Sequence, residues 1–367
     1  MTTPTHLSPS EIEAFGRELD AIRDRHLADL GERDREHIDR IISLAMTSEA
    51  AGRLLLHFGI DPISFVLGTG ALTLSKILEN MEIGHNVMHG QYDWTRDPKL
   101  DSHSYEWDAV SPSAGWRHSH NFEHHTFTNV LGKDRDIGYE LLRVSADQPW
   151  NPGYLAQPLR ALWLALAFQW GVALHDLKLE ELRTGESTRE EVLERAKPFL
   201  CKAAWQVAKD YALYPALSGL NAPRVLLGNL LANIGRNVWA FAVIFCGHFP
   251  EGAEIFHEAE LEGERRAEWY LRQLLGSANI EGGHWLHVLT GHLSHQIEHH
   301  LFPAVPAWRY PEMAREVRAL CERYDLPYNT GSLGTQLKSV AGKIFRHALP
   351  TKPRAALTRQ APPALAA

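Results

Sequence analysis

The stretch GHLSHQIEHH, residues 291–300, places four histidines in ten positions. A second stretch, HSHNFEHH at 118–125, has nearly the same layout. Aligned, His120-Asn-Phe-Glu-His124-His125 and His295-Gln-Ile-Glu-His299-His300 both read HxxxHH with Glu before the doublet. A third cluster, His85-Asn-Val-Met-His89, lies upstream. A helix turns by about 100° per residue, so His85 with His89, His120 with His124 and His295 with His299 share faces. Each such pair can clamp one ion. The second member of each doublet points elsewhere by about 100°, which suits two metal ions or two sides of one site and favours a dinuclear centre. Many neutral imidazoles favour iron, copper, zinc or nickel over magnesium or calcium. One structural zinc needs four ligands and usually takes cysteine, fewer than the histidines gathered here.

The rest of the 367-residue chain fits a helical protein carrying that chemistry. It has 21 histidines, far beyond what solubility requires. A net charge of −8 argues against a nucleic-acid partner. Cys201, Cys246 and Cys321 form no CxxC pair and read as reduced structural thiols. No secretory signal precedes the charged, helical arm at 11–40. Apolar stretches come next at 63–78, 159–177 and 225–249. The second is about long enough to cross ~30 Å of hydrocarbon. The third contains Asn229, Asn233, Arg236 and Asn237, too costly in lipid unless they face protein, water or a metal. Three buried helices of a soluble all-α protein are the alternative. The charged segment 180–194 lies across the membrane from the histidines if both flanking stretches span, and beside them if one does not. Residues 311–324 read as an amphipathic helix and 350–367 as a loose Ala/Pro-rich tail. No run of β period appears, so the fold is all-α.

The motifs GHNVMHGQYDW (84–94), WRHSHNFEHHTFTN (116–129) with GKDRDIGY (132–139), and QIEHHLFP (296–303) together resemble the membrane fatty acid desaturases with three histidine boxes. The resemblance spans roughly residues 63–324, and the order and spacing of the boxes make it specific. It implies a helical membrane protein with a cytosolic cap of helices carrying a di-iron site. The expected organisation is an N-terminal arm at 1–50, a desaturase domain at 51–330 and a tail at 331–367. It further implies two ferrous ions, O2 as co-substrate, and a bacterial cell membrane location with the active site on the cytosolic side. His85, His89, His120, His124, His125, His299 and His300 become the expected ligands. An added ligand before the last box is expected at His248, in IFCGHFP. Many members carry His where Gln296 stands, whereas the internal repeat points to His295, so both remain candidates.

Members of the front-end subgroup, which share QIEHH, often carry a fused cytochrome b5 domain with His-Pro-Gly-Gly. That signature is absent here, so electrons are expected from a separate ferredoxin, rubredoxin or cytochrome b5 with its reductase. The partners are then an acyl substrate (CoA, ACP or lipid-linked), that donor and membrane lipids, with no nucleic acid. Glu82, Glu123 and Glu298 stand next to the boxes, where each can accept from an imidazole N–H. Direct ligation is the alternative, and Glu82 has the ExxH spacing of soluble di-iron bundles. Asn121 and Asn129 are second-sphere groups or caps. Arg117, Lys133 and Arg135 either attract a phosphate-bearing headgroup or are solvated charges. Trp94, Trp107 and Trp116 either line a tunnel or anchor the interface.

The expected reaction puts a double bond into an unactivated acyl chain, beyond side-chain acid–base chemistry, so no catalytic residue is assigned outside the metal centre. A hydroxylase or alkane monooxygenase on the same scaffold shares the first hydrogen abstraction. A haem or metal-binding membrane protein without activity is the reading from another class.

Overall fold

The computed structural model describes residues 6–352. Helix α1 (Pro9–Ala28) begins at a capping box in which the Ser8 side chain accepts from Glu11 N and the Glu11 carboxylate accepts from Ser8 N. Its buried Ile12, Phe15, Leu19 and Ile22 recur at helical spacing and fix it to the body of the protein. Helix α2 (Glu32–Phe58) runs unbroken through position 50, so the N-terminal arm passes without a joint into the body of the chain. Gly59 ends it, Asp61 caps the next helix through Ser64 N, and Pro62 occupies its first turn. Helix α3 (Pro62–Ile77) then returns along α2. The two approach closely at Gly52, where a Cβ would lie 2.9 Å from the Gly68 carbonyl oxygen. At the tip of this hairpin Ile60 is 90% exposed.

Beyond Ile77 the chain passes into a π-helical turn, Leu78–Gly84, and then His85–Met88. The second box has the same construction. We label its whole helical segment α4: Ser113–Trp116, a π-helical turn at Arg117–His124, then His125–Phe127.

The apolar stretch 159–177 is not one spanning helix. It is broken at Ala167 into α5 (Gln157–Leu166) and α6 (Phe168–His175), of 10 and 8 residues, and neither can cross ~30 Å. The break is held by Asn237, whose Nδ2 donates to Leu166 O at 2.8 Å while its Oδ1 accepts from Gln169 N at 3.5 Å. Side-chain hydrogen bonds replace the helical ladder there. The charged segment after α6 consequently stays beside the histidines: Lys178 pairs with Glu123 of the second box, and Arg135 with Glu180.

Helix α7 (Arg189–Ala208) continues through a π-turn at Lys209–Leu213 into Tyr214–Leu217. Leu220 is fully exposed, and Asn221 Nδ2 donates to His57 O at 2.6 Å, so this corner meets the α2–α3 tip. From that end helix α8 (Ala222–His248) runs beside α3 toward the histidines. Its segment Gly219–His248 is the one helix, among the described residues, long and apolar enough by composition to cross a membrane. Its polar residues face protein. Asn233 Nδ2 donates to Asp210 Oδ2 at 3.0 Å, Asn229 Nδ2 to Asp210 O at 2.5 Å, and Lys76 pairs with Asp210 at 3.2 Å.

Helices α9 (Arg266–Leu275), α10 (His284–Leu289), α11 (Gln296–Leu301) and α12 (Tyr310–Arg323) complete the histidine end. As its pattern predicts, α12 is amphipathic and buries Met313, Val317, Leu320 and Cys321. Two short parallel pairs tie distant segments together: β1 (Val130–Leu131) with β2 (Phe256–His257), and β3 (Asn279–Glu281) with β4 (Thr330–Ser332). Helix α13 (Leu333–Ala348) buries Val340 and Ile344 in the core shared with α8. Residues 333–348, expected within a tail at 331–367, are thus a packed helix; 353–367, most of the Ala/Pro-rich segment at 350–367, lie outside the described residues. The three cysteines are free, with Cys246 and Cys321 buried.

Candidate metal centre

The three boxes, in which His85 and His299 are 214 residues apart in sequence, converge where α3, α4, α8 and α11 end. One group brings together His85, His89, His120 and His299; His85 Nε2 and His299 Nε2 are 3.3 Å apart. A second brings together His124, His248 and His300. His125 stacks on His300 at 4.4 Å and joins His299 and His300 in a third overlapping set. Within each group the candidate ligand atoms lie within 4.8 Å of one another.

Buried imidazole nitrogens ordinarily find hydrogen-bond partners. Here His89 Nε2, His120 Nε2, His124 Nε2, His300 Nε2 and both ring nitrogens of His125 are buried with none. That set of orphaned lone pairs fits metal ions, which need neutral imidazoles. Burial, reinforced by neighbouring imidazoles, pushes His89, His125, His299 and His300 well below the usual histidine range. They are therefore uncharged and available as donors to a metal.

Two aspartates and a glutamine orient the rings. Asp134 Oδ2 accepts from His124 Nδ1 at 3.0 Å and from Asn129 N at 2.7 Å. Burial lowers His124, but the Asp134 carboxylate outweighs it and leaves the group above its ordinary value. Asp136 lies 3.7 Å from His120 Nδ1 and 3.4 Å from His175 Nε2. Gln273 Oε1 and Thr128 Oγ1 lie 2.9 and 3.2 Å from His300 Nδ1. At His124 and His300 the hydrogen bond holds Nδ1 and leaves Nε2 without a protein partner. Asp134 and Asp136 sit in the GKDRDIGY segment, whose alternating Asp-Arg-Asp was the available signal for them.

The other candidates fall in different places. Gln296 Nε2 lies 3.0 Å from His248 Nε2, and Gln296 Oε1 is buried without a partner. His295 is in none of the groups; its ring packs on His287 at 4.7 Å, and burial pushes it down to about 3. Glu123 pairs with Lys178 and lies 3.4 Å from His118. Glu298 accepts from Asn279 and Tyr328, both at 2.9 Å, and burial pushes it up to about 7. Glu82 does hold imidazoles, but not those of the boxes. It accepts from His37 Nε2 at 2.7 Å and from His292 Nδ1 at 2.9 Å, which ties α2 to the third box. Asn121 Nδ2 donates to Met88 O at 2.7 Å, and Asn129 Nδ2 to Gly276 O at 2.8 Å. Lys133 is paired with Glu258 and Arg135 with Glu180.

A narrow, largely apolar cavity opens onto the histidines, walled by Met81, Trp107, Trp116, Phe168, Ala240 and Ile244. His85, His120, Tyr139 and Ile244 also wall the smaller space beside His124, His248 and Gln296, so the two lie side by side. Trp107 and Trp116 thus line the interior, whereas Trp94 is partly exposed.

Residues 62–332 match the family model described as fatty acid desaturase. The chain is 45% identical to a protein of Mycobacterium tuberculosis named NADPH-dependent stearoyl-CoA 9-desaturase, over 95% of this chain and 82% of that one. It is 25% identical to the sn-1 linoleoyl-lipid 6-desaturase of Synechocystis, over 89% of this chain and 93% of that one. With human fatty acid desaturase 3 it shares 27% identity over 63% of this chain and 50% of the relative.

Proposed function

Because this chain belongs to the fatty acid desaturase family and is an oxidoreductase of that class, we propose that it uses a His-ligated di-iron centre to desaturate a saturated acyl-CoA. The observation that carries the reading is the convergence of orphaned, uncharged imidazole nitrogens at the end of a buried apolar cavity. His85, His89, His120 and His299 would hold one iron; His124, His248 and His300, with Gln296 beside them, the other; His125 stands between. Iron bound there supplies the oxygen-dependent redox chemistry that side chains lack. The balance is two C–H hydrogens removed from adjacent carbons, two electrons and two protons from outside, and O2 leaving as two waters.

The chain's own contribution is placement. Trp107, Trp116 and Phe168 form dry walls that hold an extended methylene chain against His85 and His120 and exclude water. Asp134, Asp136 and Gln273 fix the ring orientations. The acyl-CoA assignment is drawn from the name of the 45% identical relative, as is an NADPH-fed electron supply, through a donor such as a ferredoxin, rubredoxin or cytochrome b5 with its reductase.

We also place α3, α8 and the apolar parts of α2 and of the α7 continuation that lie beside them in a bacterial cell membrane. Exposed Phe58, Ile63, Val66, Leu217, Leu227 and Leu230 support this, with the histidines at the cytosolic end. Expression in a host supplied with a suitable electron donor, followed by gas chromatography of the acyl chains, tests the activity. A new double bond with wild type and none with His124→Ala is expected; a hydroxylated chain would favour the hydroxylase reading.

A further inference from the structure

A second cluster of ligand-type side chains lies outside the boxes. His37 of α2, Glu82 of the first π-helical turn and His292 of the turn before α11 each bring a candidate ligand atom within 4.8 Å of the other two. Glu82 is wholly buried. Among the described residues its ion-pair partners are these two imidazoles, and no Lys or Arg nitrogen comes within 4.0 Å of it. A buried carboxylate is costly unless a positive charge accompanies it.

The chain bends sharply to bring His292 here. Gly291 and His292 are both left-handed, at φ 64 and 56, a conformation that is unfavourable for His292 because it carries a side chain. A Cβ on Gly291 would lie 2.2 Å from Met81 O, so the turn sits directly against the residue before Glu82. His292 N donates to His287 O at 2.7 Å and closes the turn. Such strain persists where the surroundings over-determine it, as at ligand clamps. On the other side Trp308 stacks on His37 at 5.4 Å and donates from Nε1 to Asp34 Oδ1 at 2.9 Å, which fixes the ring of His37. His37 is only partly buried and links the cluster to solvent.

We propose that His37 Nε2, the Glu82 carboxylate and His292 Nδ1 form a further metal site, apart from the box centre and independent of the desaturase reading, that takes a divalent ion of the zinc or ferrous class. Two imidazoles and a carboxylate suit such ions and leave a fourth position open, whereas magnesium and calcium prefer oxygen ligands. Donor atoms held about 2.0–2.2 Å from one ion lie about 3.0–3.4 Å apart. His37 Nε2 is 2.7 Å and His292 Nδ1 2.9 Å from Glu82, so the three need spread by only about 0.5 Å. On binding, each imidazole carries its hydrogen on its other nitrogen and turns a lone pair to the ion, whose charge offsets that of Glu82. The ion pins α2 to the turns that lead into the first and third boxes.

The test dialyses purified full-length protein, its iron in place, against zinc sulfate, washes it, and counts zinc and iron separately by mass spectrometry. Wild type should hold about one zinc per chain beyond its iron, and both His37→Gln and Glu82→Gln should lose that zinc while keeping their iron. Should Glu82→Gln fail to accumulate, His37→Gln decides, since it alters a partly exposed side chain on α2. Wild type without the extra zinc overturns the site. Zinc retained equally by His37→Gln, as surface histidines would bind it, or zinc that enters only as iron leaves, overturns it as well. Because iron is counted apart, none of these outcomes bears on the box centre.

Discussion

Gln296 Nε2 lies 3.0 Å from His248 Nε2, so the first residue of α11 meets the last residue of the long apolar helix α8. His295, one residue earlier, turns away to pack on His287. Iron analysis of purified variants separates the two. His295→Ala should retain the wild-type iron content, His248→Ala should fall to about half of it, and Gln296→Ala should lie between. A His295→Ala protein stripped of iron would contradict this assignment.

Asp134 should matter almost as much as a ligand. It fixes His124 through Nδ1 and also holds the Asn129 backbone, so Asp134→Asn removes the charge at constant size. The expected loss is about 10–100-fold in metal affinity, read as faster iron release to a chelator. Unchanged release kinetics would mean that His124 needs no such support.

The N-terminal arm is fastened by a buried ion pair. Arg309 donates through Nε and Nη2 to the Asp34 carboxylate, at 2.6 Å each, and both residues are almost fully buried. Removing one partner strands the other charge, so Arg309→Met should cost about 3–5 kcal/mol. The Asp34→Asn/Arg309→Met double variant should be less impaired than the sum of the singles. Thermal unfolding in detergent measures both, and purely additive losses would deny the coupling.

Acid should loosen α13. Burial, with Arg143 and Lys343 nearby, pushes His347 down to about 4 from an ordinary 6.5. The unfolded chain then binds the proton more readily, so the stability from this residue is complete above about pH 6.5 and is lost as pH falls toward 4. After allowance for solvent screening the loss is about 1–2 kcal/mol. His347→Gln should flatten stability across that window; an unchanged slope would show that another group titrates there.

The histidine cluster was legible in the sequence because its pattern is local. HxxxH spacing puts rings on one helical face, and three such segments leave few alternatives. The support of the rings is not local. Gln273 reaches His300 from α9, and His37 reaches Glu82 from α2, contacts that no spacing rule encodes. The alignment of His295 with His120 failed to bring His295 to the centre for a definite reason. His120 lies within a π-turn and points inward, whereas His295 precedes α11 with φ −107 and ψ 59 and is not part of that helix. Residues 159–177 looked continuous because hydropathy cannot register Asn237 capturing the carbonyl of Leu166, 71 residues earlier in the chain.

Both of the first two boxes are approached through π-helical turns, Leu78–Gly84 and Arg117–His124. Such a turn carries one residue more than an α-turn of the same length. Deleting that extra residue would let the segment relax into regular helix with the following imidazoles nearly in phase, whereas a deletion in the regular helix before the turn would swing them by about 100°. The two π-turns are thus the places in these helices where the loss of one residue is best absorbed, and length variation outside the surface loops is expected to collect there.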